Sequence, residues 1–270
     1  MYIVGWVGWL GFWRRKPTTR PGGIDSWRQR PTTNSQRKSA MANELPYAST
    51  EDKIATAQTL IAEEIAKHPR DLVLTSSFQA EDMVVLHIAR QFLPDLPVVF
   101  LETGYHFVEV YKYRDRMARE WKLNLINVLP EITVAEQESQ FGILNQTAPD
   151  RCCGMRKVGP LFASLEPYRL WFTGLRREQA KTRANLQPVD AFTLPTGKQL
   201  QKVSPLAEWT TKDVWQYAGL HNIPLLSLYE KGYTSIGCEP CTSLPFDASD
   251  PRSGRWGGRK QECGIHVQPQ

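Results

Sequence analysis

Asp71-Leu72-Val73-Leu74-Thr75-Ser76-Ser77-Phe78-Gln79-Ala80-Glu81-Asp82 is the stretch on which the fold turns. Its first five residues read as a buried strand with Leu72, Val73 and Leu74 at its centre, and from Glu81 to Leu93 a helical pattern follows that Pro94 stops. A buried strand that passes through a polar turn into a helix is the opening of a strand–helix–strand unit, and such units build parallel sheets. Upstream, Thr50-Glu51-Asp52 caps a helix with Ile54, Ala57, Leu60, Ile61 and Ile65 on one face, ended by Pro69. Downstream, Val98-Val99-Phe100-Leu101 reads as a strand, about His106 to Trp121 as an amphipathic helix, and Leu123 to Leu129 as a third strand. A helix near Lys157 to Leu165 precedes a further strand, Leu170-Trp171-Phe172-Thr173. The alternation predicts an α/β protein with a doubly wound, mostly parallel sheet covered on both faces. Ligands bind such sheets at the carboxyl ends of the strands.

The composition agrees. The chain has 270 residues, 41% hydrophobic and 23% charged, which excludes a fully disordered chain, a collagen-like fibre and a disulfide-knotted toxin. The longest apolar run, Met1 to Trp13, falls short of the roughly 20 residues that span a bilayer, so no integral membrane protein is expected. The net charge of +5 hints at nucleic acid, but its distribution removes the hint. Residues 1–40 hold eight basic residues and one acid, which leaves the body with 25 basic and 27 acidic residues. A footprint for nucleic acid belongs on the folded domain, so no nucleic-acid partner is expected. Arg14-Arg15-Lys16 follows the apolar stretch where a secretory signal needs positive charge before it, and Gly5, Gly8 and Gly11 weaken a surface helix. Residues 1–45 therefore read as a disordered extension or an overcalled start, with Met41 as the alternative beginning. Residues 46–237 form the α/β body, and residues 238–270, rich in Gly, Pro, Ser and charge, form a mobile tail.

The Thr75–Asp82 turn is a candidate oxyanion site, because a helix amino end presents free N–H groups and Ser76 and Ser77 add hydroxyls. A plain helix cap is the simpler reading of those serines. No Walker lysine or GxGxxG loop is present, which disfavours P-loop NTPases and Rossmann dehydrogenases. A second strand-end turn, Leu101-Glu102-Thr103-Gly104, is positioned to line the same crevice.

Five cysteines lie in three places: Cys152-Cys153, Cys238-Glu239-Pro240-Cys241, and Cys263. Their odd number in a large chain argues against a disulfide framework. The first four make a Cys₄ set. Adjacent cysteines on a helix point about 100° apart, which suits two irons of a cubane better than one tetrahedral zinc ion, although zinc remains the alternative. Cys263 is either an incidental thiol or a nucleophile. Arg252, Arg255, Arg259, Lys260 and His266 make its surroundings electropositive, which favours the reactive thiolate.

Taken together, these motifs resemble the assimilatory adenylylsulfate (APS) reductases of the PAPS/APS reductase family. The resemblance runs from about Glu51 to Val267. It rests on Ser76-Ser77-Phe78 with Glu81-Asp82, Leu101-Glu102-Thr103-Gly104, Cys152-Cys153 with Arg156-Lys157, Thr173-Gly174-Leu175-Arg176-Arg177-Glu178-Gln179 with Thr182-Arg183, Cys238-x-x-Cys241, Arg252-x-x-Arg255-Trp256, and Glu262-Cys263-Gly264-Ile265-His266. It implies an adenine-nucleotide alpha-hydrolase-like fold and a cytoplasmic, thioredoxin-dependent reduction of APS to sulfite and AMP. It also implies that Cys152, Cys153, Cys238 and Cys241 bind one 4Fe–4S cluster, and that Cys263 attacks sulfur to leave an S-sulfocysteine. Thioredoxin, or a glutaredoxin-like donor, then releases sulfite. Lys157, Arg252 and Arg255 would grip the phosphosulfate, with the adenylate near Ser76, Ser77, Gly174, Arg176 and Arg183.

Two positions depart from the family pattern: Glu102 stands where aspartate is usual, and Gln79 where glycine is frequent. For isolated arginines a solvated face is the simpler reading, and His68, His87, His106 and His221 read as structural. The sister activity on PAPS is the nearest rival. A tRNA-thiolating ATP pyrophosphatase and a non-catalytic iron–sulfur nucleotide sensor are more distant ones. The pyrophosphatase wants a Ser-Gly-Gly-x-Asp-Ser loop that this chain lacks.

Overall fold

The computed structural model describes residues 49–260 and 262–266. The expectation for residues 1–45 lies outside them. The chain opens with α1 (Thr50–Lys67), β1 (Leu72–Thr75), α2 (Ala80–Phe92), β2 (Pro97–Leu101), α3 (Val108–Glu120) and β3 (Asn124–Val128). Then follow α4 (Val134–Phe141), α5 (Leu144–Thr147) and α6 (Pro149–Cys153), a π-helical turn (Gly154–Val158) and α7 (Gly159–Leu165). The chain returns through β4 (Leu170–Phe172), β5 (Val189–Thr193), β6 (Gln199–Val203) and α8 (Thr211–Leu220).

The sheet order is β3-β2-β1-β4-β6-β5, with every pairing parallel except β5 against β6. The chain winds outward from β1 to β3, then crosses back to β4 on the other side of β1. The carboxyl ends of β1 and β4 thus flank the point where the winding reverses, where a doubly wound sheet opens its crevice. Strand alternation feeds two apolar layers. Leu72, Leu74, Val98, Phe100, Leu170 and Phe172 pack in one layer with residues of α1, α2, α3 and α8. Val73, Val99 and Trp171 pack in the other with Leu161, Phe162 and Leu165 of α7 and with Phe192 and Leu200 of the antiparallel pair. Each such fully buried side chain contributes about 1.5–3 kcal/mol relative to exposure.

Three local readings change. The cap of α1 is Ser49, in a reciprocal box with Asp52, while Thr50 reaches across to Asp213 at 2.7 Å. The β5–β6 hairpin and α8 were not anticipated. The hairpin turns at Pro195-Thr196-Gly197, where Gly197 has φ +85°, and α8 starts with a Thr210–Asp213 capping box. Both signals are in the sequence. Finally, α6 does not simply run on into α7: the π turn lies between them, with Gly159 N–H donating to Gly154 O five residues back. Among the described residues no helix is long and apolar enough to cross a membrane.

Candidate active site

The turn after β1 is held by its own side chains. Ser76 N–H donates to Val99 O, and Ser76 Oγ accepts from Phe78 N–H at 3.0 Å. Phe78 has φ +60°, a left-handed conformation uncommon for a bulky residue, and its ring is fully buried against Phe100 and Tyr113. Ser77 donates through both N–H and Oγ to Asp82 Oδ2, at 2.6 and 2.7 Å. Neither serine caps α2, whose N-cap Gln79 makes no side-chain capping bond, so the plain-cap reading fails. Burial raises the Asp82 carboxyl to about 6 against the pull of its Ser77 bonds.

Gly174, just past β4, must be glycine. A Cβ there would lie 2.3 Å from Asp82 Oδ1 and 2.9 Å from Asp82 N. The next motif residue, Arg176, is buried and spends its guanidinium on Glu81 and Glu178, both at 2.7 Å, and on Trp209 O. It ties the β4 loop to α2 and α8. Arg177, by contrast, pairs with Glu208 at the surface, the solvated face expected of an isolated arginine.

The four paired cysteines converge. Cys152 and Cys153 end α6 and are buried, while Cys238 and Cys241 flank a 3₁₀ turn (Glu239–Cys241). All four line one small cavity with Lys157, Arg255 and Trp256. Cys238 Sγ lies 3.4 Å from Thr103 Oγ1, and Cys153 Sγ 3.6 Å from Lys260 Nζ. Burial, reinforced by the neighbouring sulfurs, pushes the Cys241 thiol up to about 11, and Cys152 and Cys153 move upward too. Bare thiolates are thus disfavoured without a compensating positive charge. Among the described residues no three His, Cys, Asp or Glu side chains converge on a single ion. Two donors of residues lining this cavity, Arg255 Nε and Trp256 Nε1, are buried without an acceptor among the described residues. A sulfur-rich cradle with orphaned N–H donors fits an anionic, multi-iron cluster.

Lys157 stands on the π turn between this cradle and the main crevice. Burial alone would lower its pKa, but Cys238, Cys263 and Cys153 outweigh it and the net shift is upward. Among the described residues its ammonium makes no hydrogen bond or ion pair.

The tail folds across the crevice. Among its described residues the regular structure is sparse, with 3₁₀ turns at Glu239–Cys241 and Trp256–Gly258. Cys263 is half-buried. Glu262 meets Arg183, Ile265 packs on the second apolar layer, and the His266 ring stacks on Trp171 at 5.4 Å. Arg255 Nη1 reaches Ser235 Oγ, and its guanidinium lies where a Cβ on Gly237 would collide at 2.0 Å.

One cavity of about 640 Å³ is lined by Ser76, Ser77, Lys157, Gly174, Arg176 and Arg183, and also by Arg252, Arg255 and Cys263. The structure therefore brings together the nominated nucleophile, substrate-binding residues and cluster cysteines, with Lys157 and Arg255 shared between crevice and cysteine cradle, whereas of the Leu101–Gly104 turn only Leu101 lines the crevice. The nominations differ in what is left to offer a ligand. Ser77 and Arg176 are committed to Asp82, Glu81 and Glu178. Gln79, noted in the sequence as a departure from the family pattern, accepts from Ile236 N–H at 2.9 Å and donates to Ser77 Oγ, joining the first turn to the strap before Cys238. Sequence reasoning missed the role of Gln179, which accepts from Arg176 N–H and Arg183 Nη1. Glu102, the other departure, accepts from Tyr111 Oη, Gly104 N–H and Arg114, contacts its longer side chain reaches.

Residues 71–244 match the phosphoadenosine phosphosulfate reductase domain family. The chain is 44% identical over 208 residues to the adenosine 5′-phosphosulfate reductase of Rhodococcus opacus, covering 76% of this chain and 82% of that one. It is 46% identical to the Streptomyces coelicolor protein of the same name, over 72% of this chain and 80% of that one. It is 47% identical to the Mycobacterium tuberculosis one, over 69% and 73%. In fold it is similar to a phosphoadenylyl-sulfate reductase from Candida auris, with TM-score 0.57, 22% identity, and coverage of 71% of this chain and 96% of that one. It is also similar in fold to an FMN adenylyltransferase from Candida glabrata, with TM-score 0.53, 18% identity, and coverage of 86% and 83%. The cysteine cradle, the cationic crevice and the extent of this likeness lead to one conclusion: the chain belongs to the phosphoadenosine phosphosulfate reductase domain family.

Proposed function

We propose that this protein reduces APS to sulfite and AMP in sulfate assimilation, with Cys263 as nucleophile and a dithiol protein of the thioredoxin class as reductant. The observation that carries the reading is a single crevice holding the Cys263 thiol, Lys157, Arg252 and Arg255 beside the strand-end loops of a nucleotide-type α/β sheet. APS is favoured over PAPS because the relatives at 44–47% identity are named for APS.

In the first step the Cys263 thiolate attacks the sulfur of APS, an S–S bond forms, and the S–O bond to AMP breaks. The leaving phosphate gains negative charge as this bond breaks, and Lys157, Arg252 and Arg255 neutralise it. The enzyme is left with an S-sulfocysteine. In the second step a donor thiolate attacks Cys263 Sγ and sulfite departs with the bonding pair. The donor's second thiol then resolves the mixed disulfide, supplying two electrons in all and returning Cys263 as a thiol. Ser76, whose hydroxyl proton is not used by Phe78, lies at the adenylate side. The cytoplasm, where such dithiol donors are kept reduced, is the setting.

Cys152, Cys153, Cys238 and Cys241 would hold a 4Fe–4S cluster, with Arg255 and Trp256, whose side-chain donors are orphaned, lining the same cavity. When bound, this group supplies a fixed electrostatic partner that orients Lys157 and Arg255 towards the sulfate.

The test is anaerobic incubation of cluster-loaded protein with labelled APS, then mass analysis. A sulfite-sized addition on the Cys263 peptide, removed by a reduced dithiol donor, is expected. Substitution C263S should abolish turnover while APS binding changes by less than about threefold. AMP release with an unmodified tail would overturn the mechanism, and faster turnover of PAPS than of APS would overturn the substrate.

A further inference from the structure

Glu262, the residue before the nucleophile, makes a two-bond ionic contact between tail and body. Its two carboxylate oxygens take the fork of Arg183, with Nε donating to Oε1 and Nη2 to Oε2, each at 2.8 Å. Thr182 Oγ1 adds a third bond at 3.0 Å, and Arg252 Nη2 stands 3.7 Å away. Both ion-pair side chains are largely withdrawn from water, at 11% exposure for Arg183 and 16% for Glu262. Burial would raise the Glu262 carboxyl, but Arg183 and Arg252 outweigh it and hold it below its usual range. The receptor is itself braced, since Arg183 Nη1 donates to Gln179 Oε1 and Gln179 is fixed by Arg176 N–H.

A planar two-bond contact fixes orientation as well as distance. Adjacent Cα atoms are about 3.8 Å apart, so anchoring Glu262 leaves the Cys263 thiol little room to wander. Beyond it, Gly264 turns with φ +93° against Val158, Ile265 enters the second apolar layer, and Lys202 Nζ donates to His266 O at 3.2 Å. The Glu262 contact is the carboxylate–guanidinium pair of this docking and sits one residue from the reacting sulfur.

We propose that Glu262 is a positioning residue: its carboxylate, held by the Arg183 fork, latches the tail so that Cys263 stays aimed into the crevice during sulfur transfer. This rests on the nucleophilic role of Cys263 argued above, and predicts a split between binding and chemistry. E262Q should slow Cys263 sulfonation in a single turnover by about tenfold to a hundredfold, as expected for losing a largely buried charge pair. Equilibrium APS binding should change by less than about threefold. E262D, which keeps the charge, should recover part of the rate. In the APS-free holoenzyme, amide hydrogen exchange of the tail peptide should rise in E262Q and in R183E, and the exchanged pair R183E/E262R should restore protection. E262Q with unchanged exchange and an unchanged sulfonation rate would overturn the latch. So would tighter APS binding with faster sulfonation, because the carboxylate would then be a mere stand-in for the substrate's anion. If the unsubstituted enzyme forms no adduct, the nucleophile assignment fails, and the exchange comparison alone decides whether Glu262 latches the tail.

Discussion

Asp82 and Gly174 illustrate how tightly single residues are set at the reversal of the sheet. G174A would drive a methyl group into the Asp82 carboxylate and backbone, and should cost about 1–3 kcal/mol in denaturant unfolding. Asp82 also makes a pH prediction with a definite sign. Its folded pKa, about 6, lies above its ordinary value of 3.8, so the folded protein holds a proton that the unfolded chain has released. The stability of the unsubstituted protein relative to D82N should therefore fall as pH rises from about 4 to about 6, by no more than about 3 kcal/mol, and level off above about 7. Unfolding of both proteins across that range checks it, and a difference independent of pH would refute it. Gln79 was legible only as an oddity in the sequence. Its importance lies in a contact 157 residues away, with Ile236, which no local pattern encodes.

At the scale of elements, the tail and the π turn do the arranging. His266 is pushed well below its ordinary range by burial and by the charges of Lys202, Arg183 and Arg252. These cations face it from β6, from the 3₁₀ turn Lys181–Arg183 and from the tail itself, while Trp171 of β4 stacks on it. A histidine depressed in the docked state supports docking above its free pKa and opposes it as pH falls. Tail protection in hydrogen exchange should thus weaken below about pH 6.5, and H266F, which keeps a ring for Trp171, should flatten that dependence. The π turn was not legible from periodicity. The sequence reading places a helix only from near Lys157 to Leu165, and the extra residue per turn at Gly154–Val158 is imposed by what surrounds it. Buried Arg156 is one such constraint, bonded to Thr103 O, Ile132 O and Gln137 Oε1 from the widened turn. The β5–β6 hairpin was legible in principle through Gly197 but has weak alternation, and only one of its strands meets a parallel neighbour.

For the whole molecule, the crevice and the cysteine cradle are adjoining compartments with Lys157 and Arg255 as their common wall. C238S should lower the iron and acid-labile sulfide bound per chain, measured by direct assay, and weaken sulfonation of Cys263 in parallel. The cationic crevice should make APS binding sensitive to salt, so its affinity should fall between low ionic strength and about 0.5 M, with K157Q showing a shallower dependence. A salt response equal in both proteins would remove Lys157 from the substrate's field.

The sequence by itself determined the strand–helix alternation, and with it the parallel sheet and the end at which its site lies. It also determined the inventory of sulfur and guanidinium groups. These are consequences of periodicity and residue chemistry, which act over a few neighbours. Tertiary structure alone decided which of those groups remain available. Arg176 and Ser77 are consumed by Glu81 and Asp82 of α2 and by Glu178 of the 3₁₀ turn after β4, whereas Lys157 is left lining both the crevice and the cysteine cradle. It also decided that Glu262 should meet Arg183 across 79 residues of chain. The energy of a buried charge depends on every group packed around it, so such pairings are fixed only when the sheet closes its crevice and the tail lies down across it.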